Sequence, residues 1–137
     1  MKKYILVLWI LIFSLLIFET SQNIWIETKL NSLRNKVREK PFVDDPAMEK
    51  LLLKLQRVSP KNAKVWSLTS RYYFKKMTRS FTDEEKIAWI DKAYHASLKA
   101  LKYNPFDNPS KAFLNKILRW RGVLLSNSPT PSELGHT

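Results

Sequence analysis

The sequence predicts an all-α domain carried on a membrane-crossing helix. Three observations point there: an apolar run from Tyr4 to Phe18 interrupted by Ser14 alone, a scarcity of glycine (Gly122 and Gly135 in 137 residues), and apolar positions recurring at steps of three and four between prolines. A long apolar run reads as a bilayer segment. So few glycines leave little material for the tight turns of β-hairpins, and the three-and-four spacing is that of amphipathic helices.

At ~1.5 Å per residue, the run from Tyr4 to Phe18 rises roughly 22 Å as a helix, short of the ~30 Å hydrocarbon core. Thr20, Ser21 and the snorkelling Lys2 and Lys3 are therefore needed to complete the crossing. Signal peptidase requires small side chains one and three residues before its cut. The pairs Phe18/Thr20, Glu19/Ser21 and Thr20/Gln22 each place a large or charged residue there, so residues 1–23 read as an uncleaved anchor, with membrane lipid contacted through residues 4–18. Lys2, Lys3 and the terminal amine oppose Lys29 alone in the nearer window on the other side, which favours an amino-terminal stub inside and the domain outside the cytoplasm. Arg34, Lys36 and Arg38, slightly farther on, argue the other way.

Residues 24–40 read as a juxtamembrane amphipathic helix. Trp25 suits the lipid–water interface, and Ile26, Leu30, Leu33 and Val37 form one stripe opposite basic side chains. Two heptads of stripe can pack on the chain's own domain or pair with a second copy. Pro41 ends this helix, and residues 41–45 form a joint. Asp45 caps the next helix with Pro46 at its first position, and Met48, Leu51, Leu52 and Leu55 face inward. Asn62 to Met77 is a further helix, presenting Val65, Trp66, Leu68, Tyr72 and Tyr73. Thr82 and Glu85 form a capping box for a helix over Asp83 to Tyr103, whose small residues Ala93, Ala96, Ser97 and Ala100 permit close approach of a neighbour. Asn108 with Pro109 starts the last helix, with Phe113, Ile117 and Trp120 facing inward. The helical domain of four to five helices thus covers 46–125, and the Ser/Pro/Thr-rich residues 126–137 read as a disordered tail.

A net charge of +12 draws phosphate, anionic lipid or acidic polymer through a field that salt weakens. The anchor and the lack of a basic-aromatic signature argue against nucleic acid as the partner. Zero cysteines exclude disulfides and thiolate metal sites. His95 is the one histidine within a helical pattern, and Asp91 one turn before it offers a structural hydrogen bond. The carboxylates Asp44 and Asp45, and Asp83, Glu84 and Glu85, stand at helix starts where they stabilise exposed amides. With no serine-histidine-acid set, zinc spacing or nucleotide loop, the sequence predicts no enzyme, no cofactor and no metal.

The phrases LQRVSPKNA (Leu55 to Ala63) and LKYNPFDNPS (Leu101 to Ser110) end two helices alike, and AYHASLKALKYNP (Ala93 to Pro105) resembles the second helix and exit turn of a tetratricopeptide repeat. In that resemblance Trp66 and Tyr73 take the large positions of the first helix, Ala93 and Ala100 the small ones, and Pro105 the terminal proline. Ser70 replaces the usual glycine and Ser97 the usual aromatic. The stretch between Tyr73 and Ala93 exceeds the standard by about a third of a repeat length, an insertion assigned to an enlarged turn over 78–85. The resemblance implies a ligand-facing row of Lys64, Ser67, Arg71, Phe74 and Lys75, opposite Val65, Leu68 and Tyr72, suited to an acidic segment of a protein partner. The alternative is a solvated helix face. The overall build is similar to small anchored accessory proteins of bacterial polysaccharide biosynthesis, including the VpsP type, and of secretion or pilus assemblies. This implies a scaffold subunit at the inner membrane with its domain in the periplasm. The competing function is an electrostatic binder of anionic polymer (nucleic acid, acidic polysaccharide) or anionic lipid, working without a groove.

Overall fold

The computed structural model describes residues 2–38 and 46–127. Five helices follow in chain order: α1 (Lys2–Arg38), α2 (Pro46–Val58), α3 (Ala63–Arg79), α4 (Asp83–Tyr103) and α5 (Asn108–Asn127). Among the described residues there is no strand. The cap expected at Asp45, the joint at 41–45, the side chain of Val37 and residues 128–137 of the tail lie outside the described residues.

The anchor and the juxtamembrane segment, separate units in the sequence reading, form one helix of 37 residues, about 55 Å long at 1.5 Å per residue. Neither proline nor glycine occurs in residues 2–38, so nothing interrupts its hydrogen-bond ladder. Ser14, Thr20 and Thr28 each donate a hydroxyl proton to the carbonyl one turn earlier, at 2.8 Å, so these polar side chains are satisfied within the helix itself. Among the described residues nothing covers the apolar stretch, and α1 is long and apolar enough to cross a membrane.

From Ile26 onward α1 belongs to the domain. Ile26, Leu30 and Leu33 are buried with Met48, Leu52 and Leu55 of α2 and Val65, Leu68 and Tyr72 of α3. The stripe that had two candidate partners is thus occupied within its own chain. Asn62 caps α3, its side chain accepting from the Lys64 amide at 3.0 Å. Trp66 Nε1 donates to the Pro60 carbonyl at 2.7 Å, pinning the α2–α3 turn.

Thr82 caps α4 by accepting the Glu85 amide at 3.2 Å, with Asp83, Glu84 and Glu85 in the first turn. The enlarged turn expected over 78–85 is not formed. Residues 80–82 alone connect α3 to α4, and the extra residues lengthen the two helices to 17 and 21. A second core joins Phe74 and Met77 of α3, Ile90 and Ala93 of α4, and Ile117 and Leu124 of α5. Here α4 buries its small side chains Ala93, Ala96, Ser97 and Ala100, so neighbouring helices approach closely.

The two serines that depart from the repeat pattern meet in this interface. Ser70 Oγ donates to the Ala93 carbonyl at 2.8 Å and lies 2.7 Å from Ser97 Oγ. Since the Ser70 proton is directed to Ala93, Ser97 is the donor of the second bond, and both buried hydroxyls are satisfied.

The start and inner face of α5 differ from expectation. Its cap is Asp107, one residue before Asn108, with Oδ1 3.4 Å from the Ser110 amide and Oδ2 2.6 Å from the Ser110 hydroxyl. Trp120 is 44% exposed, while Ile117 and Leu124 are buried. The inward row steps through Arg121, whose Nε reaches Asp91 Oδ1 at 2.7 Å. Asp91, expected to hold His95, thus bridges α4 to α5, and His95 stands exposed beside the Tyr94 ring. Gly122 lies inside α5, and a Cβ there would meet nothing within 4 Å. Gly122→Ala should raise stability by about 0.5–1 kcal/mol through reduced chain entropy in the unfolded state, read as a higher thermal midpoint.

Candidate functional site: a basic cleft between α3 and α5

Since α4 packs against both α3 and α5, those two helices form facing walls of a cleft of about 870 Å³, with Arg34 of α1 at its edge. All five residues of the sequence-derived row line it: Lys64, Ser67, Arg71, Phe74 and Lys75. Their environments differ from a uniform ligand-facing row. Phe74 is buried, 7% exposed, and forms the floor by meeting Phe113 edge-to-face at 5.3 Å. Ser67 is engaged with Ser110 at 3.2 Å; because Ser110 gives its proton to Asp107, Ser67 is the donor.

The cations are fixed by what lies beneath them. The Arg71 guanidinium lies 4.7 Å from the centre of the Phe113 ring, and Lys116 Nζ 5.0 Å from that of Phe74. Lys64 Nζ pairs with Glu27 of α1 at 3.3 Å, an exposed contact that contributes little stability but marks where α1 passes the start of α3. Leu68, expected on the opposite face, also lines the cleft. The reason is that α3 is the central helix. It buries Val65, Leu68, Thr69, Ser70, Tyr72, Phe74 and Met77 against neighbours on several sides, so a two-face description does not hold.

The row on α3 omitted half of the cleft. Arg34, Phe113, Lys116 and Asp107 come from α1, α5 and the turn before α5. One signal in the sequence pointed to α5: in a paired-helix repeat it stands where the next first helix would. A row drawn along α3 alone does not reach it. Arg34, by contrast, enters through the tertiary packing of α1.

On another side of α3, Lys76 pairs with Glu49 of α2 at 3.6 Å and lies 4.8 Å from the Trp89 ring centre, while the Tyr73 and Trp89 rings meet at a 30° tilt with centres 5.6 Å apart. This seam joins the two cores, and Tyr73 packs against both. Burial, and then the nearby Glu49 charge, raise the Tyr73 phenol above its ordinary 10.0, against a smaller lowering by Lys76. The folded chain therefore holds this proton more tightly than the unfolded chain. The contribution is intact below pH 10.0 and is lost as pH rises from there through the folded value. Near-ultraviolet phenolate absorbance should show a late-titrating step that Tyr73→Phe removes.

Among the described residues, no group of three His, Cys, Asp or Glu side chains is placed to hold a metal ion. The arrangement offers cations over an aromatic floor. Comparison with protein-family models, curated proteins and solved structures gave no match to this chain.

Proposed function

We propose that the chain is a single-pass membrane protein whose helical domain captures an acidic segment of a protein partner in the α3–α5 cleft. The observation that carries this reading is the convergence of Arg34, Lys64, Arg71, Lys75 and Lys116 from three helices around one cleft, where Asp107 is the one carboxylate among the described lining residues and Glu27 pairs with Lys64 from outside it. Charge-assisted bonds to a partner's carboxylates are stronger than neutral ones, and Phe113 and Phe74 supply apolar surface below them. In this reading the paired helices α3 and α4 act as a tetratricopeptide-like scaffold, α1 spans the bilayer, and Lys2 and Lys3 favour the start of α1 inside with the domain on the far side. The task is assembly within a bacterial envelope machine, such as one for polysaccharide biosynthesis or secretion, rather than catalysis. Confinement to one surface raises effective concentration, so a modest affinity suffices.

The test is titration of the full chain, in zwitterionic nanodiscs, with a fluorescent glutamate-rich peptide containing aromatic residues. Lys75→Glu combined with Lys116→Glu should weaken binding roughly tenfold, about 1.4 kcal/mol, with helix content unchanged. Unchanged affinity would sink the cleft. Affinity that collapses with salt and ignores Phe113→Ala would instead favour groove-free electrostatic binding of anionic polymer or lipid.

A further inference from the structure

The course of α1 fixes which end of the domain lies nearest the apolar run. Glu27 meets Lys64 in the first turn of α3, so α3 begins at that end. The α3–α4 pair is antiparallel: Trp66 near the start of α3 lies under Lys99 near the end of α4, ring centre to Nζ 4.2 Å. Helix α5 then reverses again, with Asp91 on Arg121 and Ser67 on Ser110. The α2–α3 and α4–α5 turns are therefore both at the end near α1's apolar segment, and the α3–α4 turn is at the far end.

The two ends carry different chemistry. The near end exposes Phe106, 86% accessible, in the α4–α5 turn, with Lys61, Lys102 and Lys111 exposed on the two turns or within one helical turn of them. Its carboxylates are already engaged: Glu27 with Lys64, and Asp107 with Ser110. At the far end the first turn of α4 displays Asp83, Glu84 and Glu85 beside Lys76 and Arg79 in the last turn of α3, and Phe81 is 96% exposed, so the ends differ in their exposed charge and not in apolar exposure. Distance agrees with charge. Glu27 is nine residues beyond Phe18, about 13 Å along the helix. Because the apolar run is shorter than the hydrocarbon core, the lipid boundary extends past Phe18 and brings the near end within the depth of the headgroups.

We propose that the end of the domain formed by the α2–α3 and α4–α5 turns is a second membrane contact, resting on an anionic bilayer surface with Phe106 in the interface and Lys61, Lys102 and Lys111 over lipid phosphates. The contact rests on the reading that α1 spans the bilayer. It would hold the α3–α5 cleft at a fixed height and angle to the membrane instead of leaving the domain to swing. Lysines beside an anionic surface add attraction that salt screens.

The chain has no cysteine, so single introduced thiols report cleanly. The full chain with Phe106→Cys, Phe81→Cys or Leu11→Cys would be spin-labelled and reconstituted in vesicles of phosphatidylcholine with phosphatidylglycerol, and the accessibility of each label to oxygen and to a water-soluble relaxer measured. The label at 11 should be in hydrocarbon, that at 106 at interfacial depth and that at 81 in water. Reversing Lys61, Lys102 and Lys111 to Glu should move the label at 106 into water, raising its access to the water-soluble relaxer several-fold while 11 stays in lipid. A label at 106 as water-accessible as that at 81, with 11 in hydrocarbon, overturns the docking alone. A water-accessible label at 11 overturns both the docking and the spanning helix on which it depends.

Discussion

Leu30→Asp should unfold the helical domain although residue 30 lies outside the segment read from sequence as the domain. Leu30 is 2% exposed, in the core shared by α1, α2 and α3. Removing a buried leucine costs about 2–5 kcal/mol in lost transfer and packing, and an unpaired carboxylate in that position adds several more. Domains of this kind have total stabilities of about 5–15 kcal/mol, so the sum consumes most or all of it. Leu30→Met, which keeps the volume, should cost less than about 1.5 kcal/mol. Limited proteolysis of the full chain in micelles reads the difference: Leu30→Asp should expose α3 and α4 to cleavage, and Leu30→Met should not. Resistance of the aspartate variant would show that α1 contributes nothing to the fold of the rest.

The same core explains what the sequence showed about α1 and what it did not. The stripe Ile26, Leu30 and Leu33 was legible from its spacing, because a helix face repeats every three or four residues. Its continuity with the apolar run was also written in the chain, since neither proline nor glycine separates the two. Dividing them at residue 23 followed the change from apolar to mixed composition, which is a change of side chains and not of backbone.

Local chemistry was legible elsewhere too. Thr82 starts α4 where the capping box placed it, its hydroxyl accepting the Glu85 amide, because this signal acts over three residues. Long-range pairing was not. Arg121 on Asp91, Arg34 beside the cleft and Lys116 over Phe74 join residues that no periodicity relates. Trp120 failed for a related reason. Two rows, through 120 and through 121, continue the stripe from Ile117, and the Asp91–Arg121 pair belongs to the second, which turns Trp120 outward. All five residues of the ligand-facing row line the cleft, yet Phe74 is its floor and Ser67 is engaged in a hydrogen bond, because spacing along one helix does not report the neighbours on its other sides.

The Ser70–Ser97 pair gives the second large effect. If these serines occupy the places of a glycine and an aromatic in a tetratricopeptide-like pair, the glycine's missing side chain should be what makes room for the aromatic. Ser97→Phe alone puts a large ring at a position 3% exposed and facing Ser70 2.7 Å away. Overpacking of that kind costs typically 1–3 kcal/mol, occasionally more. Ser70→Gly alone removes the acceptor of the Ser97 proton, leaves space in the interface and adds a helix-interior glycine, together about 2–3 kcal/mol. Were the two independent, the double variant would lose the sum. A shared site instead predicts that the double variant is more stable than Ser97→Phe, with a coupling of about 1–3 kcal/mol in a double-mutant cycle measured by denaturant unfolding. The ring would occupy the volume that Ser70 vacates, and neither hydroxyl of the pair would remain to be satisfied. Additive losses would mean that α3 and α4 cross at a separation the repeat architecture does not use. The hydroxyl pair would then belong to this bundle's own packing, and the ligand-facing row derived from the resemblance would rest on the cleft geometry alone.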